Sequence, residues 1–106
     1  MILAAILVAM QAAPPSADIT VLARRLGEAQ LGYRLGRRDG QVYVKSCALS
    51  KSSGDAEADA IGCAAVDTCA QMNIRQRRQF DTCIRDRSLE MLEQLVEQRR
   101  AVRGEE

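Results

Sequence analysis

Four cysteines and the absence of histidine constrain this 106-residue chain more than any other feature. Without histidine the chain lacks the commonest general base and the commonest metal ligand. A Ser-His-Asp or Cys-His site is excluded for the same reason. The cysteines are Cys47, Cys63, Cys69 and Cys83, with 15, 5 and 13 residues between successive members. No two are separated by only two residues, so neither a zinc-knuckle spacing nor a redox C-x-x-C pair is present. An even cysteine count behind an export segment points to two structural disulfides. Four cysteines allow three pairings. Sequence logic favours Cys47–Cys63, stapling a strand to the following helix, with Cys69–Cys83, joining two helices across a turn near Asn73 to Gln76. Each closed loop of about 15 residues would add roughly 3 kcal/mol.

The export segment is residues 1–17, expected to be a signal peptide. Met1 to Met10 reads MILAAILVAM, an apolar run too short to span a bilayer and suited to the central region of such a peptide. Pro14 and Pro15 end any helix there. No Lys or Arg precedes the run, and no small-x-small cleavage site is evident. These 17 residues hold 13 of the 50 apolar side chains and no charge, leaving 37 apolar residues among the other 89. That lean remainder rules out a second domain and a large ligand-enclosing interior. Small domains of this size often depend on staples. Residues 18–103 are therefore expected to form one disulfide-bonded domain, with 104–106 a frayed tail.

Lys and Arg total 15, Asp and Glu 14. A net charge of +1 gives no general attraction to nucleic acid. Two local clusters, Arg37-Arg38 and Arg75, Arg77, Arg78, read as solvated turn and helix surface.

Ile19 to Ala23 is short and β-branched, and is expected to be a strand with Ile19, Val21 and Ala23 on one face. Read through Leu26, it equally starts an amphipathic helix. Leu31, Tyr33 and Leu35 alternate in the next segment, and Asp39-Gly40 is a hairpin-turn pair. Gln41 to Leu49 is the returning strand, with Val42 and Val44 on one parity and Tyr43, Lys45, Cys47 and Leu49 on the other. Ser53 or Asp55 is placed to cap a helix over 55–71. Its packing stripe is expected near Ala60, Cys63, Ala64 and Val66 or Asp67, with Ile61 beside them. Asn73 resembles a helix stop. Ile74 to Val102 has no Gly or Pro and reads as one long helix. Phe80, Ile84, Met91, Leu95 and Val102 form its apolar stripe, with Leu92 and Val96 beside them and Ser88 and Gln98 interrupting. The pattern predicts an α+β fold: a small antiparallel two- to three-stranded meander followed by two helices, stapled by two disulfides.

Gly32-Tyr33-Arg34-Leu35, Asp39-Gly40-Gln41-Val42, Cys47, Ser52-Ser53-Gly54, Asp59 and Cys63 together resemble part of the TonB C-terminal domain. The likeness covers residues 29–66. In many members of that family a strand leads through an aspartyl-glycine turn into a second strand. A serine-serine-glycine turn then opens a helix containing a leucine-aspartate pair. Some members carry one cysteine on the second strand and one on the helix, at positions like Cys47 and Cys63. The resemblance implies a periplasmic hairpin-plus-helix unit and assigns that pair to a strand–helix staple. Ala58 precedes Asp59 where the family usually has leucine. The family's next segment is an aromatic, proline-containing stretch and a further strand associated with binding the TonB box of outer-membrane receptors. Gln71 to Thr82, a second cysteine pair and a long helix stand there instead. Energy transduction is not implied.

The functional expectation is a small exported, periplasmic protein-interaction module without enzymatic activity or cofactor. A short meander leaves sheet edges able to recruit another strand. The face carrying Phe80, Ile84, Met91 and Leu95 offers a second candidate partner surface. The expected partner is an envelope protein, not a nucleic acid or a small-molecule substrate, and the oligomeric state is left open. Asp55, Glu57, Asp59, Ser52 and Ser53 read as helix-start chemistry, since acids there complement the helix dipole. The alternatives are a cysteine-based thiol- or metal-handling envelope protein and a small enzyme working without histidine.

Overall fold

The computed structural model describes residues 18–104. The expected signal peptide over 1–17, and Glu105 and Glu106 of the expected tail, lie outside the described residues. The chain runs α1 (Ile19–Glu28), β1 (Gln30–Arg38), β2 (Gln41–Lys51), α2 (Ala56–Gln71) and α3 (Arg77–Arg103). It is an α+β fold in which a two-stranded antiparallel sheet is followed by two helices. The two disulfides are Cys47–Cys63 and Cys69–Cys83. The first ties β2 to α2 and the second ties α2 to α3, as the spacing favoured.

The first segment is a helix, not the expected strand. Asp18 decides it locally: its carboxylate accepts from the backbone N–H of Thr20 at 2.8 Å and of Val21 at 3.4 Å. That cap satisfies donors that a helix start leaves unpaired. Helical spacing then gathers Ile19, Leu22, Ala23 and Leu26 against α2 and α3, and Leu22 is fully buried. A strand would have split Leu22 from Ile19. The third strand of the expected meander is therefore absent among the described residues, and the sheet has two strands.

The hairpin turns at Asp39 and Gly40, both at positive φ (54° and 78°), the backbone that this dipeptide supplies. Leu35 pairs with Val44, but Arg34 pairs with Ser46, so Lys45 is an extra residue in β2. This bulge switches the side-chain parity of the strand. Val42, Val44 and Cys47 all pack with Leu31, Tyr33 and Leu35 against the helices. Tyr43 and Lys45 stay on the outer face, where both lie over Gly36. The expected grouping of Tyr43 and Lys45 with Cys47 and Leu49 fails for that reason.

α2 starts at Asp55 and buries Ala58, Ile61, Gly62, Ala65, Val66, Cys69 and Ala70. Ala60, Ala64 and Asp67 are exposed, so the buried stripe is rotated from the expected one. Alanine-rich helices carry little polarity contrast, so the sequence alone leaves the packing phase weakly marked. Gly62 faces Leu31 of β1, where a Cβ would meet its Cδ1 at 3.4 Å, an ordinary packing distance. Asn73 takes the left-handed conformation (φ 58°) just after the helix, matching its reading as a stop. α3 begins only at Arg77, because Ile74 is used in the connecting turn, where it packs on the core.

α3 joins two apolar clusters along its length. Near its start Phe80 and Cys83 meet Val42, Val66, Cys69 and Ala70. Near its end Leu92, Leu95 and Val96 meet Leu22, Ala58 and Ile61. Ser88 is buried on the same face, whereas Gln98 is exposed and Arg99 turns inward instead. Val102, expected on the stripe, is 88% exposed. Among the described residues no helix is long and apolar enough to cross a membrane.

Candidate functional site

The start of α2 gathers the acids and serines that were singled out in the sequence. Asp55 Oδ1 accepts from the backbone N–H of Glu57 at 3.1 Å and of Ala58 at 3.2 Å. The Arg99 guanidinium donates to both Asp55 oxygens at 2.9 Å and to Glu57 Oε1 at 3.0 Å. The Asp55 and Arg99 side chains are only 3% and 10% exposed. The Arg99 fork, opposed by burial and helped by the two N–H donors, holds the Asp55 carboxyl below the usual carboxylate range. Asp59 accepts from the Ser52 and Ser53 hydroxyls and from the Ser53 N–H at 2.8 Å. The Ser52 and Ser53 donors lower its pKa in turn. Two ionised carboxylates already supplied with donors lock a turn onto a helix start. Sequence reasoning missed Arg99, which stands 44 residues from Asp55. Its position four residues after Leu95 on the inward face was the available signal.

The hairpin has unequal edges. β2 is paired with β1 on one side, and its other edge starts under the α2–α3 turn. There the Val42 N–H donates to Asn73 Oδ1 at 2.9 Å, and Gln41 Nε2 donates to Ala70 O at 3.0 Å. Among the described residues β1 pairs with β2 alone, and no strand lies along its outer edge. Of the six charged side chains between Gln30 and Lys51, five are basic: Arg34, Arg37, Arg38, Lys45 and Lys51. Asp39 is the only acid. Arg38 lies over the Tyr43 ring at 5.0 Å.

The stripe proposed as a partner face is packed within the molecule. Phe80 is 1% and Leu95 7% exposed, while Ile84 and Met91 are half-buried against the two clusters. Tyr33 stacks on Phe80 with centroids 5.4 Å apart and donates its hydroxyl to Asp81 at 2.7 Å. Burial first, then that carboxylate, push the Tyr33 pKa up to about 12. Between the clusters an apolar groove of about 220 Å³ is lined by Leu26, Leu31, Leu49, Ile84, Leu89 and Leu92, with Arg85 and Ser88 among its lining. No free cysteine remains. Among the described residues no group of three or more Cys, Asp or Glu is arranged to hold a metal ion.

No family model, curated protein or solved structure matches the chain.

Proposed function

We propose that this is an exported, periplasmic, non-enzymatic interaction module whose β1 edge receives an extended segment of an envelope protein. The observation that carries the reading is the asymmetry of the hairpin. The start of the β2 edge is capped by Asn73 of the α2–α3 turn, whereas among the described residues no strand pairs with the outer edge of β1. Such a row is a ready template for an added strand. The two disulfides fit an oxidising compartment, and the apolar run before Ala17 supplies the export segment. The hairpin and its helix are also the part that resembles the TonB C-terminal domain. All four cysteines are engaged in bridges, which removes the thiolates that a thiol- or metal-handling role would use.

A photo-reactive residue in place of Arg34, on β1, tests the proposal in the intact envelope. It is expected to trap one discrete protein adduct, and the same residue in place of exposed Glu93 on α3 is expected to trap none. Arg37→Pro should abolish the Arg34 adduct. The two-residue turn makes Arg38 and Gln41 the hydrogen-bonded pair, so the Arg37 N–H points outward and its loss spares the hairpin. Equal adducts from both positions, or an Arg34 adduct untouched by Arg37→Pro, would exclude strand addition at β1.

A further inference from the structure

The fold brings together two arginine clusters that are 37 residues apart or more in the chain. Arg37 and Arg38 end β1 at the hairpin turn. Arg75, Arg77 and Arg78 lie in the α2–α3 turn and the first turn of α3. The two turns are bonded to one another: Asn73 Nδ2 donates to Gly40 O at 3.2 Å, and the Arg75 guanidinium donates to the same oxygen. All five arginine side chains are exposed. Two acids, Asp39 and Asp81, stand among them, and the Arg77–Asp81 contact is long at 3.9 Å and largely solvated. The first turn of α3 holds no acidic residue. Arg34 and Lys45 continue the positive charge along the outer face of the sheet. The near-neutral chain thus gathers cations at these two turns, whereas further along α3 Asp86, Glu90, Glu93 and Glu97 alternate with Arg85, Arg87, Arg99, Arg100 and Arg103.

We propose that this arginine pole docks on an anionic phospholipid bilayer surface. Three observations favour that occupant over other polyanions. Among the described residues the pole is formed by two adjoining turns, with a small cavity of about 140 Å³ between Arg37 and Arg75 rather than an extended channel. Met72, in the same connection, is 56% exposed, an apolar side chain beside cations as interfacial segments carry. The disulfides belong to an oxidising compartment, which membrane surfaces border and nucleic acid does not normally occupy. The guanidinium fork matches phosphodiester oxygens, so the headgroup phosphates are the ligand chemistry. Docking by this pole uses guanidinium side chains and strand addition uses the β1 backbone, so the two are distinct contacts even though Arg37 and Arg38 lie on β1.

The test uses the full chain with vesicles of phosphatidylcholine alone or with one-third phosphatidylglycerol. Sedimentation is expected to recover the protein with the anionic vesicles at low salt and to lose it as salt approaches one molar. Arg77→Gln with Arg78→Gln should weaken that partition by roughly twenty-five-fold, about fivefold per arginine. Arg85→Gln with Arg87→Gln, further along α3, should change it little. Apolar residues 1–17 would bind both vesicle types alike, so a second readout is made on the unaltered protein. Phenylglyoxal modification mapped by mass spectrometry should find Arg37, Arg38, Arg75, Arg77 and Arg78 protected by anionic vesicles and Arg85 unprotected. Uniform modification with and without anionic vesicles overturns the proposal. So does equal protection by phosphatidylcholine, or protection by soluble polyphosphate without any by vesicles.

Discussion

Asp55 performs two tasks with one carboxylate: it caps α2 and it receives the Arg99 fork from the far end of α3. Removing one member of a buried pair leaves the other charge uncompensated. Arg99→Met should therefore cost about 3 kcal/mol in urea unfolding. The pH dependence follows from the same contact. The Asp55 pKa is lowered on folding, so its stabilising contribution is present above the unfolded value near 3.9 and is lost as pH falls through the folded value. Asp59 acts in the same direction. Acid unfolding of the native chain should steepen below about pH 4, and Arg99→Met should flatten that branch. Tyr33 works at the other end of the scale. Its pKa is raised to about 12, so its contribution is complete below the unfolded value near 10 and is lost as pH rises through about 12. Ultraviolet titration of the two tyrosines should contain a late component near pH 12 that disappears in Tyr33→Phe. The capping role of Asp55 was legible from a polar residue before an apolar helix. Arg99 was not, because one cation among 15 acquires meaning only when the helices are packed.

At the scale of elements, the hairpin turn, the second helix and most of the long helix were legible because their signals are local: Asp39-Gly40, Asp55 and Asn73. Besides the packing phase of the alanine-rich α2, what escaped were two choices that local residues leave balanced. The parity of β2 depends on the bulge at Lys45, and nothing in an alternating run marks which residue is extra. Ile19 to Ala23 is β-branched enough for a strand, yet its apolar spacing through Leu26 also suits a helix, and tertiary burial decides. The two readings make opposite predictions for neighbouring residues. A strand with Ile19, Val21 and Ala23 inward would suffer most from Val21→Ala. The helix buries Leu22 completely and leaves Val21 partly exposed. Leu22→Ala should cost about 3 kcal/mol, and Val21→Ala well under half of that, in chemical denaturation. Asp18→Ala should remove about 1 kcal/mol more through loss of the α1 cap.

Among the described residues two small apolar clusters are threaded on one helix, and the disulfides are distributed unequally between them. Cys47, Cys69 and Cys83 belong to or pack against the cluster under the hairpin, while the α1 cluster contains no cysteine. That arrangement has a reason in the side chains available. The buried side chains of the α1 cluster are mainly Leu22, Ile61, Leu92, Leu95 and Val96, whereas in the hairpin cluster Phe80 is buried among Val42, Val66, Ala70 and two cysteines, and the larger Leu31, Tyr33, Leu35, Ile74 and Ile84 are only partly buried. The bridges span 16 and 14 residues, and each is worth roughly 3 kcal/mol by restricting the unfolded chain. Together they approach the whole stability expected of a domain this small, about 0.05–0.15 kcal/mol per residue. Reduction should therefore unfold the protein cooperatively rather than release the hairpin alone. Circular dichroism with and without a phosphine reductant should lose helical signal in a single step at moderate temperature. Cys69→Ala with Cys83→Ala should retain a folded state about 3 kcal/mol less stable than the native chain. A reduced protein that kept its helical signal while the Tyr33 environment melted would instead mean that the α1 cluster folds independently, with α3 divided into two separately stable halves.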